Sequence, residues 1–117
     1  MPLTFHSLKE SRDFSRILGG DSRIAGRFFV LFTQPPPGKS PHSSLRLGII
    51  ASRKVGQAVE RNRIKRVIRE VFRSDKAAFL SKNDVVVLVR RGAREKGNPL
   101  LREELQILLE KMRREKP

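Results

Sequence analysis

The chain has 117 residues, with 26 Lys and Arg against 12 Asp and Glu, a net charge of +14 and no cysteine. That length fits one domain, and an apolar fraction of 38% supplies one core, which excludes general disorder. Disulfides, thiolate metal sites and a cysteine nucleophile are excluded, and no apolar run approaches the ~18 residues of a membrane span.

Residues 1–10 have little periodicity and read as an extended lead-in. They lack the continuous apolar core of a signal peptide, so a cytosolic location is expected. Ser11 is placed to cap a short helix, with Asp13 favourable in its first turn. Phe14, Ile17 and Leu18 share one face of that helix, and Gly19-Gly20 stops it. Arg27–Thr33 is aromatic and reads as a strand, with Phe28, Val30 and Phe32 on one face and Phe29 and Leu31 on the other. Residues 34–44 hold four prolines and read as an exposed loop. Leu45–Ala51 reads as a second strand, in which Gly48 predicts a bulge or a close approach by another backbone.

Ser52–Arg73 carries eight basic residues and two acids, Glu60 and Glu70. Ile64, Val67, Ile68, Val71 and Phe72 follow helical spacing and predict a face packed on a sheet. The opposite arc carries Asn62, Lys65, Arg66, Arg69 and Arg73, with Arg61 and Arg63 on the flanks. A solvated helix face ordinarily mixes signs. Stacked cations repel by a few tenths of a kcal/mol per pair, a cost that a phosphate backbone relieves. Just before the helix, Arg53-Lys54-Val55-Gly56-Gln57 forms a turn that Gly56 permits, next to free N–H groups at a helix start. The turn lacks the GxxxxGK(S/T) spacing of a nucleotide-hydrolysing loop. Val85–Val89 reads as a strand buried on both faces. The last element is a helix with Asn98 as its cap and Pro99 at its first position, whose Leu101, Leu105, Leu108, Leu109 and Met112 face the core.

Lys54-Val55-Gly56, Ala58-Val59 and Arg61-Asn62-Arg63-Ile64-Lys65-Arg66, continuing into Arg69, resemble the signature of the bacterial ribonuclease P protein subunit. The close match runs from about Leu47 to Phe72, and a weaker one covers nearly all the rest. The resemblance implies a single RNA-binding domain over 1–117. It implies an α/β two-layer sandwich in the order αβββαβα, as in ribosomal-protein and elongation-factor domains of similar fold. The mixed sheet would have about four strands and a left-handed βαβ crossover, against the usual right-handed rule.

It further implies a protein that joins ribonuclease P RNA, whose RNA carries the active site and removes the 5′ leader from precursor tRNA. Arg53, Lys54, Arg61, Asn62, Arg63, Lys65, Arg66, Arg69 and Arg73 would face that RNA. Phe14, Leu18, Val30, Phe32, Val87 and Arg90 would line a leader cleft between the sheet and the first helix, where bases stack on aromatic rings for ~1–3 kcal/mol each. Leu18 stands where the family often has an aromatic residue, and Phe32 where Tyr is common. No tightly bound cofactor is expected on the protein, magnesium is expected to be required by the ribonucleoprotein, and no obligate protein partner or membrane is implied.

Catalysis by the chain itself is not supported. His6 and His42 lack metal-ligand spacing, and the adjacent Glu103 and Glu104 point apart on a helix. Two other binding classes fit the charge: a structural RNA-binding protein with no associated reaction, and a sequence-tolerant DNA binder. The DNA reading lacks a dimeric half-site element. A membrane-surface helix fits least, because the apolar face is needed for the core.

Overall fold

In a computed structural model, the described residues are 5–35, 45–80 and 83–115. The elements are β1 (Phe5–Ser7), α1 (Ser11–Leu18), β2 (Arg23–Ala25), β3 (Phe29–Gln34), β4 (Leu45–Ile50), α2 (Ala58–Phe72), β5 (Asp84–Val89) and α3 (Asn98–Glu115). Short 3-10 helices at Asp75–Leu80 and Arg91–Glu95 follow α2 and β5. The five strands form one mixed sheet in the order β1-β4-β5-β3-β2. The expected order αβββαβα runs from α1 to α3, and β1 adds a three-residue edge strand ahead of it. Most of the Pro-rich stretch, including His42, lies outside the described residues.

β4 and β5 are parallel neighbours, so the chain between them must cross a face of the sheet, and α2 makes that crossing. Ile64, Val67, Ile68, Val71 and Phe72 are all buried against that face, as the spacing predicts. Each such side chain contributes about 1.5–3 kcal/mol on burial, against a few tenths for each repulsive cation pair on the far side. Packing therefore decides where the helix sits, and its charged face follows. α3 covers the same side of the sheet through Leu101, Leu105, Leu108, Leu109 and Met112.

Alternation along the strands divides the core in two. Phe29, Leu31, Leu45, Leu47, Val85, Val87 and Val89 point toward α2 and α3. Val30, Phe32 and Val86 point toward α1, with Leu8 and Ile17. Phe28 lies before β3 begins and packs with the α2–α3 cluster, not with Val30 and Phe32 as expected.

Gly48 makes no bulge. It sits in unbroken register opposite Val86, and what approaches it is a side chain. A Cβ there would lie 2.6 Å from Cε1 and Cζ of Phe14. The missing side chain lets α1 settle on the sheet.

A charge cluster also ties α1 to the sheet, through Asp13 and Arg16 on either side of Phe14. Asp84 is fully buried and accepts from Arg46 Nε at 2.7 Å and Nη2 at 2.6 Å, and from Arg16. Asp13 stands 3.6 Å from Arg16 and 3.7 Å from Arg46. Burial alone pushes the Asp84 carboxyl up, but hydrogen bonds from Arg46 and Arg16 outweigh it and hold the group below its ordinary range. The same bond to Asp84 raises Arg46.

Candidate nucleic-acid interface

α2 begins where Gly56, at φ +157°, turns the chain in a way side chains rarely allow. A Cβ there would come 3.2 Å from the Glu60 carboxylate, which accepts from the Gln57 N–H at 3.3 Å and closes the helix start.

Both acids of the helix are occupied. Glu60 stands 3.8 Å from Arg94, and Glu70 is paired with Arg102 of α3 at 3.2 Å. The neutralising charges thus come from outside α2, so none of the helix's own cations is spent on its two acids. Among the described residues, Arg53, Lys54, Arg61, Lys65, Arg66 and Arg69 have no carboxylate within 4.0 Å. Asn62, Arg66 and Arg73 are exposed, and Lys65 and Arg69 are half-buried.

The Arg-Asn-Arg triplet does not act as one patch. At about 100° per residue, Arg61 and Arg63 fall on opposite flanks of the helix and Asn62 points outward between them. Arg61, Lys65 and Arg69 share one flank. Arg63 is on the other, where it donates to Asn98 Oδ1 at 2.6 Å and to the Arg94 carbonyl at 3.1 Å. The side chain expected to cap α3 is therefore held by Arg63, and Asn98 is the first residue of the helix proper.

On the Lys65 flank, the basic face meets the sheet. A cleft of about 150 Å³ opens at the edge of β4 beyond the end of β1, lined by Phe14, Gly48, Ile49, Lys65 and Arg69 among others. It places one ammonium and one guanidinium group beside a half-buried aromatic ring. That pairing of cation and ring suits the phosphate and base of a single strand.

The expected cleft residues divide. Phe14 is half-buried and Leu18 is exposed, both on α1. Val30 and Phe32 lie on the α1 face of the sheet but are each only 6% exposed, buried in the core there, and neither lines the cleft beside Lys65 and Arg69. Val87 is a correction: it is fully buried among the α2–α3 residues, on the opposite face. Register explains it, because Val30 lies opposite Leu88 and Phe32 opposite Val86. Leu88 and Ile50 are the partly open apolar groups that sequence reasoning missed. The signal for them is period-two parity, which needs the register with β3 before it can be used. Arg90 lies just past β5, exposed, and donates to the Gly26 carbonyl at 2.7 Å.

Among the described residues no three His, Cys, Asp or Glu side chains stand close enough to hold a metal ion. No helix there is long and apolar enough to cross a membrane. A one-sided cationic helix packed on a sheet, opening into an aromatic cleft, defines a protein of the RNA-binding class.

The comparisons with known proteins agree with this class. The family model for ribonuclease P matches residues 3–113. The ribonuclease P protein component of Halalkalibacterium halodurans is 36% identical over 88 residues, covering 75% of this chain and 71% of that protein. That of Staphylococcus aureus is 39% identical over 90 residues, covering 77% and 75%. Among solved structures, the Staphylococcus aureus RNase P protein superposes with a TM-score of 0.76 at 34% identity, covering 90% of this chain and 93% of that one. The Thermotoga maritima protein gives 0.74 at 31%, covering 91% and 96%. The chain belongs to the ribonuclease P protein family.

Proposed function

We propose that this chain works as the non-catalytic subunit of a bacterial ribonuclease P, in the cytoplasm. It binds the catalytic RNA through the outer face of α2 and the preceding Arg53-Lys54 turn. The 5′ leader of precursor tRNA lies in the cleft between α1 and the sheet. The observation that carries this reading is the cleft at Phe14 and Gly48, which joins the open flank of α2 to an aromatic ring. RNA bound along α2 and a strand entering the cleft would be continuous across Lys65 and Arg69.

The chain's contribution is to bind and orient. Cations on α2 neutralise phosphates and so reduce the metal ion needed to bring the RNAs together. Magnesium would be required by the ribonucleoprotein.

The test is precursor-tRNA cleavage by a bacterial ribonuclease P RNA at low magnesium, with and without this protein. Strong stimulation is expected, with no cleavage when protein alone meets the substrate. No stimulation, with salt-sensitive RNA binding intact, would leave a structural RNA-binding protein.

A further inference from the structure

Phe28 leaves the face that alternation along β3 assigns to it. Val30 and Phe32 point toward α1, yet Phe28 packs on the α2–α3 side. The β2–β3 turn makes this change of face, and it is held from both sides. Arg90, which continues the parity of Val86 and Leu88, donates to the Gly26 carbonyl at 2.7 Å. Glu104 of α3 accepts from the Arg27 and Phe28 N–H groups at 2.6 and 2.8 Å. A Cβ on Gly26 would lie 2.9 Å from the Glu104 carboxylate, so any other residue there would displace it.

Between this turn and α3 lies a groove of about 340 Å³. Phe28, Leu100 and Ile107 give it an apolar floor, the last two 44% and 46% exposed. Arg27, Lys96 and Lys111 line it as well, and among the described residues none of the three has a carboxylate within 4.0 Å. The Lys96 Nζ stands 5.9 Å from the centre of the Phe28 ring. Of the two lining carboxylates, Glu104 is spent on the turn, and Glu103 alone is open. Three cations against one open carboxylate, around an apolar floor, complement a strand with phosphates on one side and bases on the other. It is the same pairing of ring and cation as at Phe14, Lys65 and Arg69.

What favours RNA here over an acidic peptide is the route that joins the two places. Phe14 lies over Gly48, and Ile50, two residues further along β4, is opposite Leu88. Arg90 is two residues beyond Leu88 and reaches the turn at Gly26. From β4 to β2 is three strand spacings, about 14 Å, which a few nucleotides cross. We propose, on the reading of this chain as the leader-binding subunit, that the groove between α3 and the β2–β3 turn takes the upstream part of the precursor-tRNA leader after it leaves the cleft at Phe14. Bases rest on Leu100 and Ile107 beside the Phe28 ring, and phosphates meet Arg27, Lys96 and Lys111. Arg90 and Glu104 are positioning residues, which fix the turn over which the strand passes.

The experiment assembles the full chain with a bacterial ribonuclease P RNA and measures its affinity for precursor tRNAs with a graded series of leader lengths. Affinity should rise once as the leader fills the cleft and again, by about fivefold or more, when it reaches the groove. Arg27→Glu combined with Lys96→Glu should abolish the second rise and keep the first, and Ile107→Glu should do the same. Absence of the first rise in the parent protein would sink the leader reading itself. A first rise with no second, or a second that survives these variants, overturns the groove alone. The chain has no cysteine, so Ile107→Cys carries a photocrosslinker at a single place. Crosslinks are expected to upstream nucleotides of long leaders and to be missing with short ones. Crosslinks confined to ribonuclease P RNA, or none at all, overturn the proposal.

Discussion

The guanidinium of Arg63 donates to Asn98 Oδ1 at 2.6 Å and to the main-chain carbonyl of Arg94 at 3.1 Å. One residue of the basic helix thereby fastens the start of the C-terminal helix and the turn before it. The Arg-Asn-Arg triplet divides its labour: Arg61 lies on the flank of the cleft, Asn62 faces out, and Arg63 faces in.

Arg63→Ala should therefore destabilise the fold by about 1–3 kcal/mol, the scale of hydrogen bonds to a charged group. Arg63→Lys should recover little of this, because a single ammonium cannot span two acceptors in a fixed fork. Urea unfolding measures it. A variant as stable as the parent would show that the two bonds contribute nothing and that Arg63 serves RNA alone.

Arg66 is the contrasting case, exposed and without a carboxylate partner among the described residues. Arg66→Ala should change stability by no more than about 0.5 kcal/mol. Its effect should appear in RNA affinity against salt, where the log–log slope falls in magnitude by ~0.7–0.9 when one phosphate is no longer neutralised. An unchanged slope removes Arg66 from the interface.

Phe14 and Phe32 should separate in the same pair of assays. Phe32 is 6% exposed, so Phe32→Ala should cost about 3–5 kcal/mol of stability. Phe14→Ala is expected to lower affinity for leader-bearing precursor tRNA by about 1–3 kcal/mol and leave mature tRNA unaffected. Equal losses on both RNAs would take Phe14 out of leader binding. Gly48→Ala offers a second route to the same ring, because its Cβ would displace Phe14.

Asp84 predicts how the fold responds to acid. Its pKa is depressed in the folded state, so its contribution is complete above about pH 4 and is lost as pH falls through the lower folded value. Asp84→Asn should destabilise the neutral protein by about 3 kcal/mol, the lower end for breaking a buried pair, because Arg16 and Arg46 remain 30% and 20% exposed. The variant should also lose part of the acid-induced fall in stability. Unfolding free energies measured from neutral to acid pH decide it, and parallel curves for the two proteins would refute the assignment.

The parts of the fold that are legible in the sequence are those written in local periodicity. The five apolar positions of α2 and the doubly buried β5 appear where spacing places them. Val87 falls on the face opposite to the expected one because a strand apolar on both sides carries no parity of its own. Only pairing with β3 supplies it. The partner of Asn98 is equally hidden. Asn before Pro reads as a cap, and nothing local reveals an arginine 35 residues away that claims its carbonyl. Gly48 is a true signal of close approach, but sequence alone does not say whether backbone or Phe14 fills the space. β1 and β2 are three residues each, too short to show alternation.

Those short strands have a practical consequence. Among the described residues they form the two edges of the sheet, and β1 covers β4 only through Leu47, with no described strand beside residues 48–50 on that side. An uncovered edge is where one molecule can add its strand to another and begin to precipitate. Lys65 and Arg69 stand beside this stretch, so a second copy approaching there meets like charge. Substitutions that neutralise these two residues should make the RNA-free protein harder to keep in solution, and ones that retain charge should not.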